Sequence, residues 1–158
     1  MNLSLMDAEL ERDEGRRYVP YTDNSKAKNL TVGIGHNLDA SPIPPAWVYP
    51  LTDDEIDQLL DHDLSITIAA LDLHIGWWRT LDEVRQRCVC NVAFNIGVGG
   101  LMGFHEALPE LKAGNYANAA QDFQDSDWYR EVGIRAKRVC WGILKGVMPT
   151  DTDMADMT

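Results

Sequence analysis

Thr52-Asp53-Asp54-Glu55 opens a strong helix directly downstream of the chain's β-rich stretch, and that succession restricts the fold more than any other feature. The Thr52 hydroxyl can accept from the first free amides while Glu55 reaches back, and the acids favour the positive helix end. Ile56, Leu59, Leu60, Leu64, Ile68 and Leu71 then keep one apolar face for about five turns. A helix this long after a small sheet can span two lobes.

The flanking segments agree with that frame. Leu3, Met6 and Leu10 recur at helical spacing, predicting a short first helix that ends near Gly15. From Arg16 to Asp39 the texture changes to Tyr18, Val19 and Tyr21, a polar turn, and LTVGIGHNL, which predicts a small antiparallel sheet. SPIPPAW is a proline-punctuated connection. Further on, Thr80 with Glu83 repeats the capping signature before VRQRCVCNVAFNIG, and Gly97, Gly99, Gly100 and Gly103 interrupt that helix. HEALPELKAG is read as a helix kinked by its proline. YANAAQDFQ follows, then a turn at 125–127, then IRAKRVCWGILKG. Past Pro149 the sequence TDTDMADMT reads as a frayed, acidic tail.

The bulk properties set limits. A chain of 158 residues with 45% hydrophobic composition suits one folded unit or two small lobes sharing a helix. No run of eighteen apolar residues occurs, and MNLSLMDAELERDE lacks a signal peptide's basic start and apolar middle. The expectation is a protein made soluble in the cytoplasm, with no stable membrane insertion, that needs another agent to reach a target outside. Cys88, Cys90 and Cys140 are odd in number, have no zinc-like spacing, and read as buried free thiols. A formal net charge of −11 argues against nucleic acid, because phosphate binding needs a basic stripe. Arg130, Arg135, Lys137 and Arg138 nevertheless form a local basic cluster near the C-terminus.

Chemistry concentrates near the N-terminus. Glu14, Asp23 and Thr31 stand at a helix end, in a neighbouring turn and inside a glycine-rich strand. Glycosidic hydrolysis needs one acid to protonate the leaving oxygen and, with inversion, a second polar centre to hold water. Nine extended steps would separate Glu14 from Asp23 by roughly 30 Å, so the chain must turn back between them, and Gly15 can begin that turn. Near neutral pH, burial or negative neighbours would suit Glu14 as an acid, whereas a nearby arginine would oppose that; the sequence leaves the balance open. Gly33 and Gly35 bracket Ile34 and permit close approach of backbone to a ligand, but G-x-G lacks the rest of a dinucleotide loop. His36 reads as structural, with Asp63 a plausible ion-pair partner. No second ligand stands at metal spacing, so neither metal nor cofactor is expected. No G-x-S-x-G elbow supports serine chemistry.

With DEG, the Glu14-to-Asp23 spacing and LTVGIGHNL, followed in order by NVAFNIGVGGLMGF and SDWYREVGIRAKRV, the chain resembles the phage-type lysozymes of glycoside hydrolase family 24. The likeness covers nearly all of Leu5 to Lys145. It implies an α+β, mostly helical, two-lobed lysozyme-like fold. The implied domain is 1–149, with an N-terminal lobe at about 15–51 and a connecting helix at about 52–72. A helical lobe at about 73–149 would pack with helix 2–14, and 150–158 would be the tail. The implied activity is inverting hydrolysis of the β-1,4 bond between N-acetylmuramic acid and N-acetylglucosamine in peptidoglycan.

By the same resemblance Glu14 is the general acid, and Asp23 and Thr31 hold or activate water. Arg135 would pair with Glu14, Arg138 with Asp13, and His36 with Asp63. Gly35, Leu38, Phe94, Asn95 and Phe104 fall where the family lines its saccharide cleft. The implied biology is that of a monomeric endolysin, held in the host cytoplasm until a holin admits it to the wall. Tail-associated or bacteriocin use of the fold is one rival, which the chain's shortness disfavours. A non-catalytic glycan-binding module is another, disfavoured by the joint presence of Glu, Asp and Thr. Two features depart from the family pattern: seven residues separate Asp23 from Thr31, two more than usual, and the chain is acidic.

Overall fold

The computed structural model describes residues 1–157. Its element order is α1 (Leu3–Glu14), β1 (Arg17–Thr22), β2 (Leu30–Gly33), β3 (His36–Asn37), α2 (Asp53–His74), a 3-10 turn (Gly76–Thr80), α3 (Glu83–Met102), α4 (Ala107–Ala113), α5 (Tyr116–Gln124), α6 (Asp127–Val132), α7 (Ile134–Lys145) and α8 (Asp151–Asp156). This is an α+β architecture dominated by helices. It divides into two compact units: Leu3–Ile66, which holds α1 and the sheet, and Met1–Asn2 with Thr67 onward, which holds the helices after α2. The division crosses α2 and groups α1 with the sheet, whereas the sequence reading groups that helix with the helical part.

In the sheet unit, α1 stops where Gly15 adopts φ +76°, a left-handed conformation that glycine takes without strain, and the Gly15 amide donates to the Glu11 carbonyl. The chain then reverses into an antiparallel sheet of order β1-β2-β3. Arg17 pairs with Gly33 and Tyr21 with Thr31, with an irregularity between them, and Thr31 pairs with Asn37. Val32, Ile34 and His36 are buried, as are Ile56, Leu59, Leu60 and Leu64 of α2. A Cβ placed on Gly33 would lie 3.4 Å from Ile56, so β2 rests on α2. Arg16 closes the unit, donating to Glu11 at 2.7 Å, Asp53 at 3.0 Å and Asp57 at 2.7 Å. Thr52 and Glu55 exchange backbone-to-side-chain bonds of 2.9 and 3.2 Å, forming the expected reciprocal cap of α2.

In the helical unit, Trp78 is fully buried and its indole N–H donates to Asp72 at 2.8 Å. α7 packs against α3 and α5. Arg85 fastens the end of α7 from within the core: its Nε donates to the Ile143 carbonyl at 2.7 Å and its Nη2 to that of Leu144 at 3.3 Å. Asp82 accepts from the same guanidinium at 2.7 Å, and the Tyr116 ring covers it with the centroid 3.4 Å away. Cys88, Cys90 and Cys140 are free and buried, and burial pushes the Cys140 thiol up to about 12, leaving it unreactive at neutral pH.

Local readings needed correction at three places. The cap of α3 is Asp82, whose Oδ1 accepts from the Arg85 amide, because Thr80 ends the preceding 3-10 turn and donates to the Trp77 carbonyl. Pro109 lies in the first turn of α4, where its missing N–H has no helical partner to lose, and so does not kink it. The segment after Pro149 expected to be a frayed tail contains α8. Thr150 and Asp153 form a reciprocal capping box there, and Met154 is buried.

Candidate active site

Glu14 is the last residue of α1, and its position is tied to one glycine. Gly35, in the turn between β2 and β3, has φ +67°, and a Cβ there would stand 2.9 Å from Glu14 Cδ and 3.0 Å from its Oε2. The carboxyl therefore occupies the space a side chain at Gly35 would fill. Gly35 thus lies against Glu14, and Gly33 faces α2.

Asp23 continues the β1–β2 ladder, its amide donating to the Asn29 carbonyl at 3.0 Å. Its Oδ1 accepts three bonds: from the Ser25 amide (3.1 Å), the Ser25 hydroxyl (2.6 Å) and the Asn29 amide (3.0 Å). The turn thus curls onto the carboxylate it follows, an Asx-type arrangement. No hydrogen bond from the described residues reaches Oδ2. Thr31 is buried in β2, and its hydroxyl donates to the Asn29 carbonyl at 3.1 Å. Its proton is occupied there, so its oxygen is left to accept.

His36 is fully enclosed, with Nδ1 2.7 Å from Asp63 and Nε2 2.7 Å from the Ser41 carbonyl. Both partners are acceptors, so both ring nitrogens donate and the imidazole is cationic. Burial pulls its pKa down, but the Asp63 carboxylate and the Ser41 carbonyl outweigh that and raise it. Leu38, half-buried after β3, donates its amide to the Leu30 carbonyl at 2.8 Å. Asp13 accepts a two-point contact from neighbouring Arg12 at 3.0 and 3.2 Å.

The other candidates lie in the helical unit. Phe94 is half-buried on α3. Asn95 accepts from the Trp128 indole at 2.9 Å. Phe104 stacks at a tilt on Phe123, centroids 4.6 Å apart, and meets Trp128 edge-on at 6.0 Å. Asn95 and Phe104 thus belong to one aromatic cluster. Arg135 is buried on α7, its Nε donating to the Asn91 side chain at 2.7 Å, while Arg138 is half-buried on the same helix. Sequence reasoning passed over Ser25, Asn29, Asn91 and Trp128. Only Ser25 carried a local signal, since Asp-x-Ser is a turn-forming pattern.

Two cavities lie elsewhere. One of about 510 Å³ in the sheet unit is lined by prolines of the 41–47 connection, Trp47 and His62, and one of about 390 Å³ lies between α4 and α5. Neither is lined by Glu14, Asp23 or Thr31. Among the described residues no His, Cys, Asp or Glu group is arranged to hold a metal ion. No single described helix is long and apolar enough to cross a membrane.

A mostly helical α+β fold with one small antiparallel sheet is that of a lysozyme-like glycoside hydrolase. Residues 11–147 match the phage lysozyme family, and the chain belongs to it. Over 92% of its length it is 30% identical to the pre-baseplate central spike protein Gp5 of Enterobacteria phage T4, spanning 28% of that protein. It is 24% identical to probable T4-type lysozyme 1 of Dictyostelium discoideum, covering 88% of this chain and 93% of that one. The endolysin of Salmonella phage P22 is 28% identical over 72% of this chain and 75% of its own.

Proposed function

We propose that the chain is a muramidase that cleaves the β-1,4 bond between N-acetylmuramic acid and N-acetylglucosamine in peptidoglycan with inversion. The observation that carries this reading is the complementary state of three side chains in one unit. Glu14 is held at a fixed point against Gly35, while Asp23 Oδ2 and Thr31 Oγ1 remain acceptors. A water donating its two protons to those oxygens turns a lone pair toward the anomeric carbon. As the glycosidic bond breaks, Glu14 protonates the leaving oxygen, the water oxygen bonds to carbon from the opposite face, and Asp23 takes its proton. The supporting roles of Arg135, Arg138 and Asp13 that the family likeness implies belong to this proposal, as do those of Leu38, Phe94, Asn95 and Phe104 as saccharide contacts.

In biological terms the reading is a monomeric endolysin released to the wall by a holin. Expression in a bacterial host should lyse cells only when a holin is co-expressed. The Gp5 relationship favours one second reading, a lysozyme carried by a larger particle, and lysis from without by the purified protein alone would support it. The enzymatic reading is tested by digesting purified peptidoglycan, with the cut bond read by mass spectrometry and the first-formed anomer by NMR. New reducing ends on N-acetylmuramic acid in the α configuration are expected. A 1,6-anhydro product or reducing N-acetylglucosamine would overturn it.

A further inference from the structure

Tyr21 is the cross-strand partner of Thr31 in the β1–β2 ladder, and residues directly opposite in such a pair present their side chains on the same face. Asp23 lies two positions further along the continued ladder, so the strand period puts it on that face too. Tyr21, Asp23 and Thr31 thus share one face of the sheet. The ring is half-buried, with the Arg17 guanidinium 5.0 Å from its centroid. The hydroxyl has no hydrogen-bond partner among the described residues. Burial raises the phenol pKa, and the nearby charges of Glu14 and Asp23 raise it further against the opposing pull of Arg17. The phenol is thus a neutral donor on the sheet face that also carries Asp23 and Thr31.

We propose that the Tyr21 hydroxyl is a further catalytic group, donating a hydrogen bond to the attacking water held by Asp23 Oδ2 and Thr31 Oγ1. This rests on the assignment of Glu14, Asp23 and Thr31 given above. The proton count supports it. The water's two protons go to Asp23 and Thr31, one lone pair attacks, and a neutral donor on the second lone pair fixes the direction of the first. Asp23 and Thr31 have no proton for that purpose, whereas the phenol does. Packing with Arg17 accounts for the ring but not for the unpartnered hydroxyl.

Tyr21→Phe keeps the ring and removes only the donor. On a soluble muropeptide oligomer, kcat should fall about tenfold or more, as loss of an orienting contact on the nucleophile would give, with KM within about twofold. The thermal midpoint should not move. A ring-fluorinated tyrosine at position 21, whose phenol ionises near neutral pH, should add an alkaline limb to the rate profile at the phenol's own pKa. A packing role would add no such limb. If Tyr21→Phe keeps the wild-type rate, or the fluorinated enzyme shows no new limb, the proposal falls. Glu14→Gln run alongside separates the two levels: full activity there overturns the whole site, while its inactivity beside an active Tyr21→Phe overturns only the role of Tyr21.

Discussion

The two units of this chain bury polar groups in opposite ways. In the helical unit the Arg85 guanidinium meets an acceptor at each of its three nitrogens: two carbonyls ending α7 and the Asp82 carboxylate. In the sheet unit Asp23 has one oxygen tied by three donors and the other without a hydrogen bond from the described residues, and Thr31 has given up its proton but not its acceptor capacity. Groups satisfied in full hold structure, because an unmet buried partner costs free energy. Groups satisfied in part are held in place and keep acceptor capacity to spare. His36 is the exception inside the sheet unit, being bonded at both nitrogens like a structural group of the other unit.

The sharpest way to break this contrast is Glu14→Gln, expected to lower turnover by about 10²–10⁴ with no change in melting temperature. A residual rate above about a tenth of wild type would remove Glu14 from its role. Next comes Arg85→Met, expected to cost about 2–4 kcal/mol in urea unfolding, since it strands two carbonyls and a carboxylate. The folded fraction should keep its full kcat, and a large kcat loss would show that structure and chemistry are not separated in this way.

His36→Asn should destabilise by about 2–3 kcal/mol, with a pH signature. The folded pKa of His36 is raised, so its contribution is complete below the unfolded value and lost as pH rises through the folded one. The variant should therefore lose more stability at pH 5 than at pH 9, and parallel curves would contradict a cationic His36. The smallest effect expected is that of Gly35→Ala, about 1–2 kcal/mol from the left-handed backbone. Because the new methyl would displace the Glu14 carboxyl, kcat should fall too, which stability measurements alone would miss.

Much of this was legible in the residues. The end of α1 at Gly15, the reciprocal cap at Thr52 and Glu55, and α5 and α7 follow from periodicity and from capping within one turn. The cap of α3 was misread because Thr80-x-x-Glu83 and Asp82 compete on local grounds, and only the 3-10 turn around buried Trp78 removes Thr80. Glu14, Asp23 and Thr31 were identifiable as candidates from residue type, spacing and family likeness. Their condition was not, since Ser25 and Asn29 act on Asp23 through a turn whose geometry no periodicity encodes.

The sequence by itself determined the helices α1 to α5 and α7, where the sheet falls, and which acids could serve a glycosidase, because these depend on neighbours a few positions apart. Tertiary structure decided that Gly35 lies under Glu14, that Tyr21 stands opposite Thr31, and that Met154 anchors a helix where a frayed end was expected. Those outcomes depend on register and on the space left between residues distant in sequence, and such space exists only once the chain has folded.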